Sequence, residues 1–302
     1  MDIRDEILKL KKAKNALILA HIYAPLEVQL IADFTGDSLE LSRKAADPTI
    51  TQDIIVFCGV YFMGETAAML SPTKKVLMAD LNAGCPMADM APVEDVREWK
   101  KQYPNATTIC YINSSAAVKA ECDLCVTSAN AVKIIKSIPD KQILFLPDQS
   151  LGCYVQKQVP EKEMIMWPGF CPTHHRILES FVKRSIQEHP GAFLLAHPEN
   201  TETILAYADY IGSTSQMQRY AKESTAKEFI IASEKGLVER LQHDYPDKQF
   251  YHVSPLATCP NMKKNTLEAV RDALEKEDTL IVVPEDVRTK ALAAIQKMLI
   301  LS

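Results

Sequence analysis

Three cysteines in this 302-residue sequence are followed directly by proline: Cys85-Pro86, Cys171-Pro172 and Cys259-Pro260. They stand 86 and 88 residues apart, and none of the other five cysteines shares the feature. A thiol on a proline turn behind an apolar run is placed to project into a site. Iron–sulfur clusters are held by thiolates, and a four-iron cluster with three protein ligands keeps one iron open. An open metal position acts as a Lewis acid on hydroxyl or carbonyl oxygens. Zinc, with three ligands and a water, is the main chemical competitor. Three remote thiolates without a local Cys-x-x-Cys pair favour the cluster. Such a pair exists at Cys122 and Cys125, but the matching stretches elsewhere in the chain, Ala32-Asp33-Phe34-Thr35 and Ala208-Asp209-Tyr210-Ile211, carry core residues. We therefore expect packed thiols there, and likewise at Cys58, Cys110 and Cys153.

Short apolar runs end on His21, Tyr111 and His197. Each of these begins an i, i+2 pair: His21 with Tyr23, Tyr111 with Asn113, His197 with Glu199. In an extended tip such pairs point the same way. Together they offer imidazoles, phenols, an amide and a carboxylate, a set suited to proton transfer. The hydroxyls Ser38, Ser128, Ser213 and Thr214 fall at loop-to-helix junctions. They are expected to cap helices, and a helix N-terminus with a hydroxyl is also an anion site. His174, three residues after Cys171, should line the same mouth.

The elements that position these groups repeat. After each tip an aspartate follows at twelve residues (Asp33, Asp123, Asp209), and a hydroxyl five beyond it (Ser38, Ser128, Thr214). Then come buried strands at Ile54–Phe57, Ile143–Leu146 and Phe229–Ala232, a helix, a third strand and the Cys-Pro turn. We read three copies of one β-α-β-α-β unit of about 85 to 90 residues. The fold class is α/β: three homologous three-layer αβα domains with short parallel sheets and right-handed crossovers. Pseudo-threefold packing around a central active site would gather the strand tips, where such folds bind ligands. The expected domains are 1–86, 87–172 and 173–283, with 284–302 packing back on the first. In the tail we expect a helix over Thr266–Glu275, a strand over Thr279–Val283 and a helix opened by Pro284. The recurring aspartates read as structural.

Composition narrows the partners. Hydrophobic content of 47% and charged content of 24% are those of a globular chain. A net charge of -5 argues against nucleic acid or a membrane as the main partner. The longest apolar run is broken by Gly59, and the charged N-terminus has no signal-peptide pattern, so a cytoplasmic location is expected. Eight cysteines in such a chain suggest metal or redox chemistry more than disulfides.

Over essentially its whole length the chain resembles the quinolinate synthase family. The resemblance rests on Ala20-His21-Ile22-Tyr23, Gly36-Asp37-Ser38-Leu39, Tyr111-Ile112-Asn113-Ser114, Val126-Thr127-Ser128-Ala129-Asn130, Gly169-Phe170-Cys171, His197-Pro198-Glu199, Gly212-Ser213-Thr214-Ser215 and Cys259-Pro260-Asn261-Met262. It implies a triangular protein that condenses iminoaspartate with dihydroxyacetone phosphate to quinolinate, phosphate and water. By that resemblance Cys85, Cys171 and Cys259 hold a [4Fe–4S] cluster, and Tyr23, His21, His197 and Glu199 move protons. His21, His197 and Glu199 with Ser38, Tyr111, Asn113, Ser128, His174, Ser213 and Thr214 would contact substrate. Functional coupling to an enzyme producing iminoaspartate is also implied. Two features depart from the family pattern: Ala24 replaces the usual glutamine, and Cys259 lacks the neighbouring cysteines some members carry. A zinc-dependent lyase or hydrolase on the same thiolates, and a non-catalytic cluster sensor, are the competing readings.

Overall fold

The computed structural model describes residues 2–302. In chain order the first part holds α1 (Ile3–Ala13), β1 (Ala16–His21), α2 (Leu26–Ile31), β2 (Phe34–Gly36), α3 (Ser38–Ala45), β3 (Ile54–Cys58), α4 (Tyr61–Leu70) and β4 (Lys75–Met78). Next come α5 (Pro86–Asp89), α6 (Val93–Gln102), β5 (Thr107–Tyr111), α7 (Ala116–Lys119), β6 (Leu124–Val126), α8 (Ala131–Ser137), β7 (Gln142–Leu146), α9 (Gln149–Gln158) and β8 (Glu163–Met166). The third part adds α10 (Pro172–His175), α11 (Glu179–Glu188), β9 (Phe193–Ala196), α12 (Glu202–Leu205), β10 (Tyr210–Ile211), α13 (Thr214–Glu223), β11 (Glu228–Ala232), α14 (Lys235–Asp244) and β12 (Gln249–His252). Two helices close the chain, α15 (Leu267–Lys276) and α16 (Glu285–Leu301).

The strands form three four-stranded sheets, ordered β2-β1-β3-β4, β6-β5-β7-β8 and β10-β9-β11-β12, every pairing parallel. The runs at β1 and β3 are buried at every residue. That is what a parallel sheet covered on both faces requires. The expected α/β class with three sandwiched units stands, but each sheet has one strand more than the three expected. The additional strands β2, β6 and β10 are only two or three residues long.

The recurring aspartates start those short strands. Asp33, Asp123 and Asp209 donate their amides to the carbonyls of Ile18, Thr108 and Leu194, each at 2.9 Å. Their Oδ2 atoms accept the amides of those same three residues at 2.8, 2.8 and 2.7 Å. A carboxylate thereby completes the ladder where the next strand is just beginning. A second repeated device ties the loop before each unit's last strand to the helix-to-strand connection that precedes the neighbouring strand β3, β7 or β11. The ammonium groups of Lys74, Lys162 and Lys248 each donate to two backbone carbonyls.

The tail differs from expectation. Residues 279–281 meet the edge of β4 through a single antiparallel bridge, Leu77 to Leu280, rather than a strand. Helix α16 begins after Pro284, which precedes its first turn. It does not return chiefly to the first unit. Its buried face (Ala291, Ala294, Ile295, Met298) joins the core of the second sheet, against α7 and β6, with a smaller contact to α4. It is α15 that packs back, placing Leu267, Val270, Ala273 and Leu274 with Ile7 and Ile18 against α1 and β3. The apolar stripes were legible; which sheet each covers depends on the path of the loops before them. Among the described residues no helix is long and apolar enough to cross a membrane.

Candidate functional site

The carboxyl ends of the three sheets converge on one cavity. Its wall includes Cys85, Cys171 and Cys259, all six tip residues of the i, i+2 pairs, and Ser38, Ser128, His174 and Thr214. Ser213 is the predicted site residue that does not line it. Its hydroxyl accepts the Gln216 amide as the cap of α13 and donates to Asp37 Oδ2 at 3.0 Å. Ser38 and Thr214 do not cap: they are the first residues of α3 and α13, while Asp37 and Ser213 are the caps. Ser128 lies two residues before the cap of α8, Asn130. All three line the cavity beside helix N-termini, with Ser128 Oγ 3.2 Å from His197 Nε2 and Thr214 Oγ1 hydrogen-bonded to the Tyr23 hydroxyl.

The three cysteine turns are anchored alike. The residue opening α4, α9 and α14 donates its amide to the carbonyl two positions before each cysteine: Tyr61 to Ala83 at 2.7 Å, Gln149 to Gly169 at 2.8 Å, Lys235 to Ala257 at 3.0 Å. Each cysteine carbonyl then accepts from the residue four along, Asp89, His175 or Lys263. Proline at the second position gives up an amide that the turn leaves unpaired anyway. Burial pushes the Cys85 thiol up to about 12, and it raises Cys171 and Cys259 as well.

On the tips, the amides of Tyr23 and Glu199 donate to Nδ1 of His21 (3.0 Å) and His197 (3.3 Å), two residues behind them. Burial lowers the His21 imidazole to about 4 and that of His197 to about 3. Glu199 accepts a hydrogen bond from the Tyr111 hydroxyl at 2.6 Å, and its Oε2 lies 2.8 Å from His174 Nδ1. Burial alone would raise its carboxyl, but the His197 and His174 imidazoles and these hydrogen bonds outweigh that and hold it below the usual range. Burial and the charge of Glu199 push both Tyr23 and Tyr111 well above an ordinary phenol. The Tyr23 hydroxyl lies 2.8 Å from Ser233 Oγ and accepts from Thr214 at 3.1 Å. His174 Nε2 reaches the same Ser233 hydroxyl at 3.2 Å, while its Nδ1 is 3.2 Å from Cys171 Sγ. The sulfur of Cys171, His174 and a Glu199 oxygen form the one group of three metal-ligating atoms within 4.8 Å of one another among the described residues.

Several contributors escaped the sequence reading. Ser233 is fully buried and joins Tyr23 to His174. Arg176, which follows α10, is exposed at the cavity wall and is the one arginine or lysine lining it among the described residues. Glu234 lines the cavity and caps α14, as Asp148 caps α9; the first unit has Val60 there. An acid two residues beyond a buried strand in two of three units was the available signal. The loop at Ala24-Pro25 is held by Gln29, whose amide donates to the carbonyls of Ile22 and Ala24 at 2.7 and 2.9 Å.

A family model described as "Quinolinate synthetase A protein" matches residues 5–300. The chain is 50% identical over 297 residues to a protein of Thermodesulfovibrio yellowstonii named quinolinate synthase, covering 98% of this chain and 97% of that one. It is 51% identical over 300 residues to one so named from Caldicellulosiruptor saccharolyticus (99% and 98% covered). A quinolinate synthase of Methanosarcina barkeri is 49% identical over 298 residues (99% and 97%). Strand tips, cysteine turns and near-complete coverage therefore agree, and the chain belongs to the quinolinate synthetase A family of enzymes.

Proposed function

We propose that this protein condenses iminoaspartate with dihydroxyacetone phosphate to give quinolinate, phosphate and water, using a [4Fe–4S] cluster on Cys85, Cys171 and Cys259. The observation that carries the reading is the meeting of three remote Cys-Pro thiols with the tip residues in one cavity. The donor set also bears on which group it holds. Three thiolates from three separate units, with no Cys-x-x-Cys pair among them, suit a polynuclear cluster better than a single ion. When bound, such a cluster with three protein ligands supplies an open iron as Lewis acid for the dehydrations.

The remaining roles fall to the protein. His21 and His197 accept backbone amides at Nδ1, so as neutral rings they carry their proton on Nε2; that of His21 is donated to a substrate oxygen, and that of His197 is shared with Ser128 Oγ at 3.2 Å. Asn113 Oδ1 is buried without a hydrogen-bond partner in the structure and lines the cavity; the N–H of iminoaspartate would satisfy it. The hydroxyls of Ser38, Ser128 and Thr214 near helix N-termini receive carboxylate or phosphate. Glu199, kept ionised, is the base that removes protons from carbon, and the Tyr23 phenol returns protons to leaving oxygens. Arg176 draws the dianionic substrates to the mouth. Imines hydrolyse in water, which fits a cytoplasmic enzyme working beside the one that makes iminoaspartate.

Anaerobically purified protein, assayed for iron, acid-labile sulfide and quinolinate formed from the two substrates, tests the reading. Brown protein making quinolinate is expected. A colourless protein with stoichiometric zinc, or an iron-loaded one making no quinolinate, would overturn it.

A further inference from the structure

One ion pair at the back of the cavity has no part in the chemistry above. Glu234 is fully buried. Its Oε2 accepts the Gly236 amide at 2.6 Å, and its Oε1 accepts the amide of Cys259 at 3.0 Å. Lys263, four residues past Cys259 on the same turn, lies 3.1 Å from Oε1 and 3.2 Å from Oε2. The same ammonium donates to the carbonyl of Tyr23 at 2.8 Å. Gly236 lies tight against that tip: a Cβ there would stand 2.7 Å from the Ile22 carbonyl oxygen and 2.9 Å from Tyr23 Cα. Three backbone segments, residues 22–23, 234–236 and 259–263, therefore meet at one carboxylate and one ammonium.

All three cysteine turns share the amide-to-carbonyl anchor two residues before the thiol. The third turn alone gains this ion pair. It is also the turn that does not lead into an α-helix; a short 3₁₀ segment, Met262–Lys264, follows instead. The first and second turns continue into α5 and α10. A turn lacking helical support needs another restraint to hold its sulfur in place. A buried carboxylate that receives two amides and an ammonium supplies one, since losing either charge would strand the other.

We infer that Glu234 and Lys263 are positioning residues that lock the Cys259 turn to the loop bearing Tyr23. The cluster-holding sulfur and the substrate-facing phenol then keep one fixed relation. The inference rests on the proposed function only in taking Cys259 as a cluster ligand and Tyr23 as a substrate-facing group.

The variants are Glu234→Gln, Lys263→Met and the charge-balanced pair Glu234→Gln/Lys263→Met, which covers the case where a lone buried charge prevents folding. In metal-free full-length protein, amide hydrogen exchange is followed over residues 255–263, with the Cys85 turn as internal reference. Exchange over 255–263 is expected to quicken at least five-fold relative to that reference. In reconstituted protein, iron loss to a ferrous chelator should quicken about ten-fold, and kcat should fall while KM stays within two-fold. An unchanged exchange ratio in the charge-balanced variant would overturn the inference, with or without a cluster. Wild-type protein that takes up no iron would instead overturn the functional reading, while the exchange ratio still decides on the lock.

Discussion

The Tyr111 hydroxyl donates a 2.6 Å hydrogen bond to Glu199, joining strand tips of the second and third sheets across the cavity. The carboxylate is held ionised by a phenol from one unit and imidazoles from another. Glu199→Gln keeps the shape and removes the base. We expect quinolinate to bind within a few-fold of wild type by calorimetry while kcat falls roughly 10²- to 10⁴-fold, the span typical of general base loss. Near-normal turnover would remove Glu199 from the proton-transfer set.

The two buried tip imidazoles make stability depend on pH. The unfolded chain takes up protons near the ordinary value of 6.5, whereas folded His21 and His197 wait until about 4 and 3. Their contribution is fully present above 6.5 and is lost as the pH falls toward those lower values. At about 1.4 kcal/mol per unit, His21 alone accounts for roughly 3 kcal/mol. Urea unfolding between pH 7 and 4 should show this decline, and His21→Gln should flatten it. An equally steep decline in the variant would mean that folded His21 is already protonated at pH 5.

Cysteine substitutions separate the site from the scaffold. Cys122 and Cys125 are buried in the core around the second sheet, with Cys125 Sγ 3.5 Å from Cys110 Sγ, and neither lines the cavity. Changing either to Ser should leave iron content unaltered. Cys85→Ser, Cys171→Ser or Cys259→Ser should remove most of it, as should prolonged chelation of the wild type. Iron lost on changing Cys122 would make that pair part of the metal site.

Arg176 carries no hydrogen bond or ion pair among the described residues. A charge-assisted contact to phosphate or carboxylate is worth about 1.5–3 kcal/mol. Arg176→Gln should therefore raise KM for dihydroxyacetone phosphate by roughly ten-fold or more, with kcat within two-fold. The wild-type preference should also shrink with added salt. Equal KM values at low ionic strength would exclude a substrate role.

Much of this was legible because the sequence states its pattern three times. The interval from each tip to an aspartate, a hydroxyl and a Cys-Pro turn located the sheets and the cysteines, tip residues and hydroxyls that share the cavity wall. What repetition could not resolve was detail of one residue or less. Ser213 and Thr214 both suit a helix start, and only the backbone path decides that the first caps and the second faces the cavity. Strands β2, β6 and β10 are too short to show a period. Arg176 and Ser233 each belong to a single unit, so no interval marks them. Glu234 was hidden by the valine at the matching place in the first unit.

At the same step of each tip the three units place Tyr23, Asn113 and Glu199, a phenol, an amide and a carboxylate. A scaffold built by repetition would present an incoming molecule with three interchangeable orientations. These unlike groups cancel that ambiguity, much as a keyed socket accepts a plug only one way round. The repeated frame supplies the enclosure, and under the proposed function the unlike groups at this step would decide which way the ligand faces inside it.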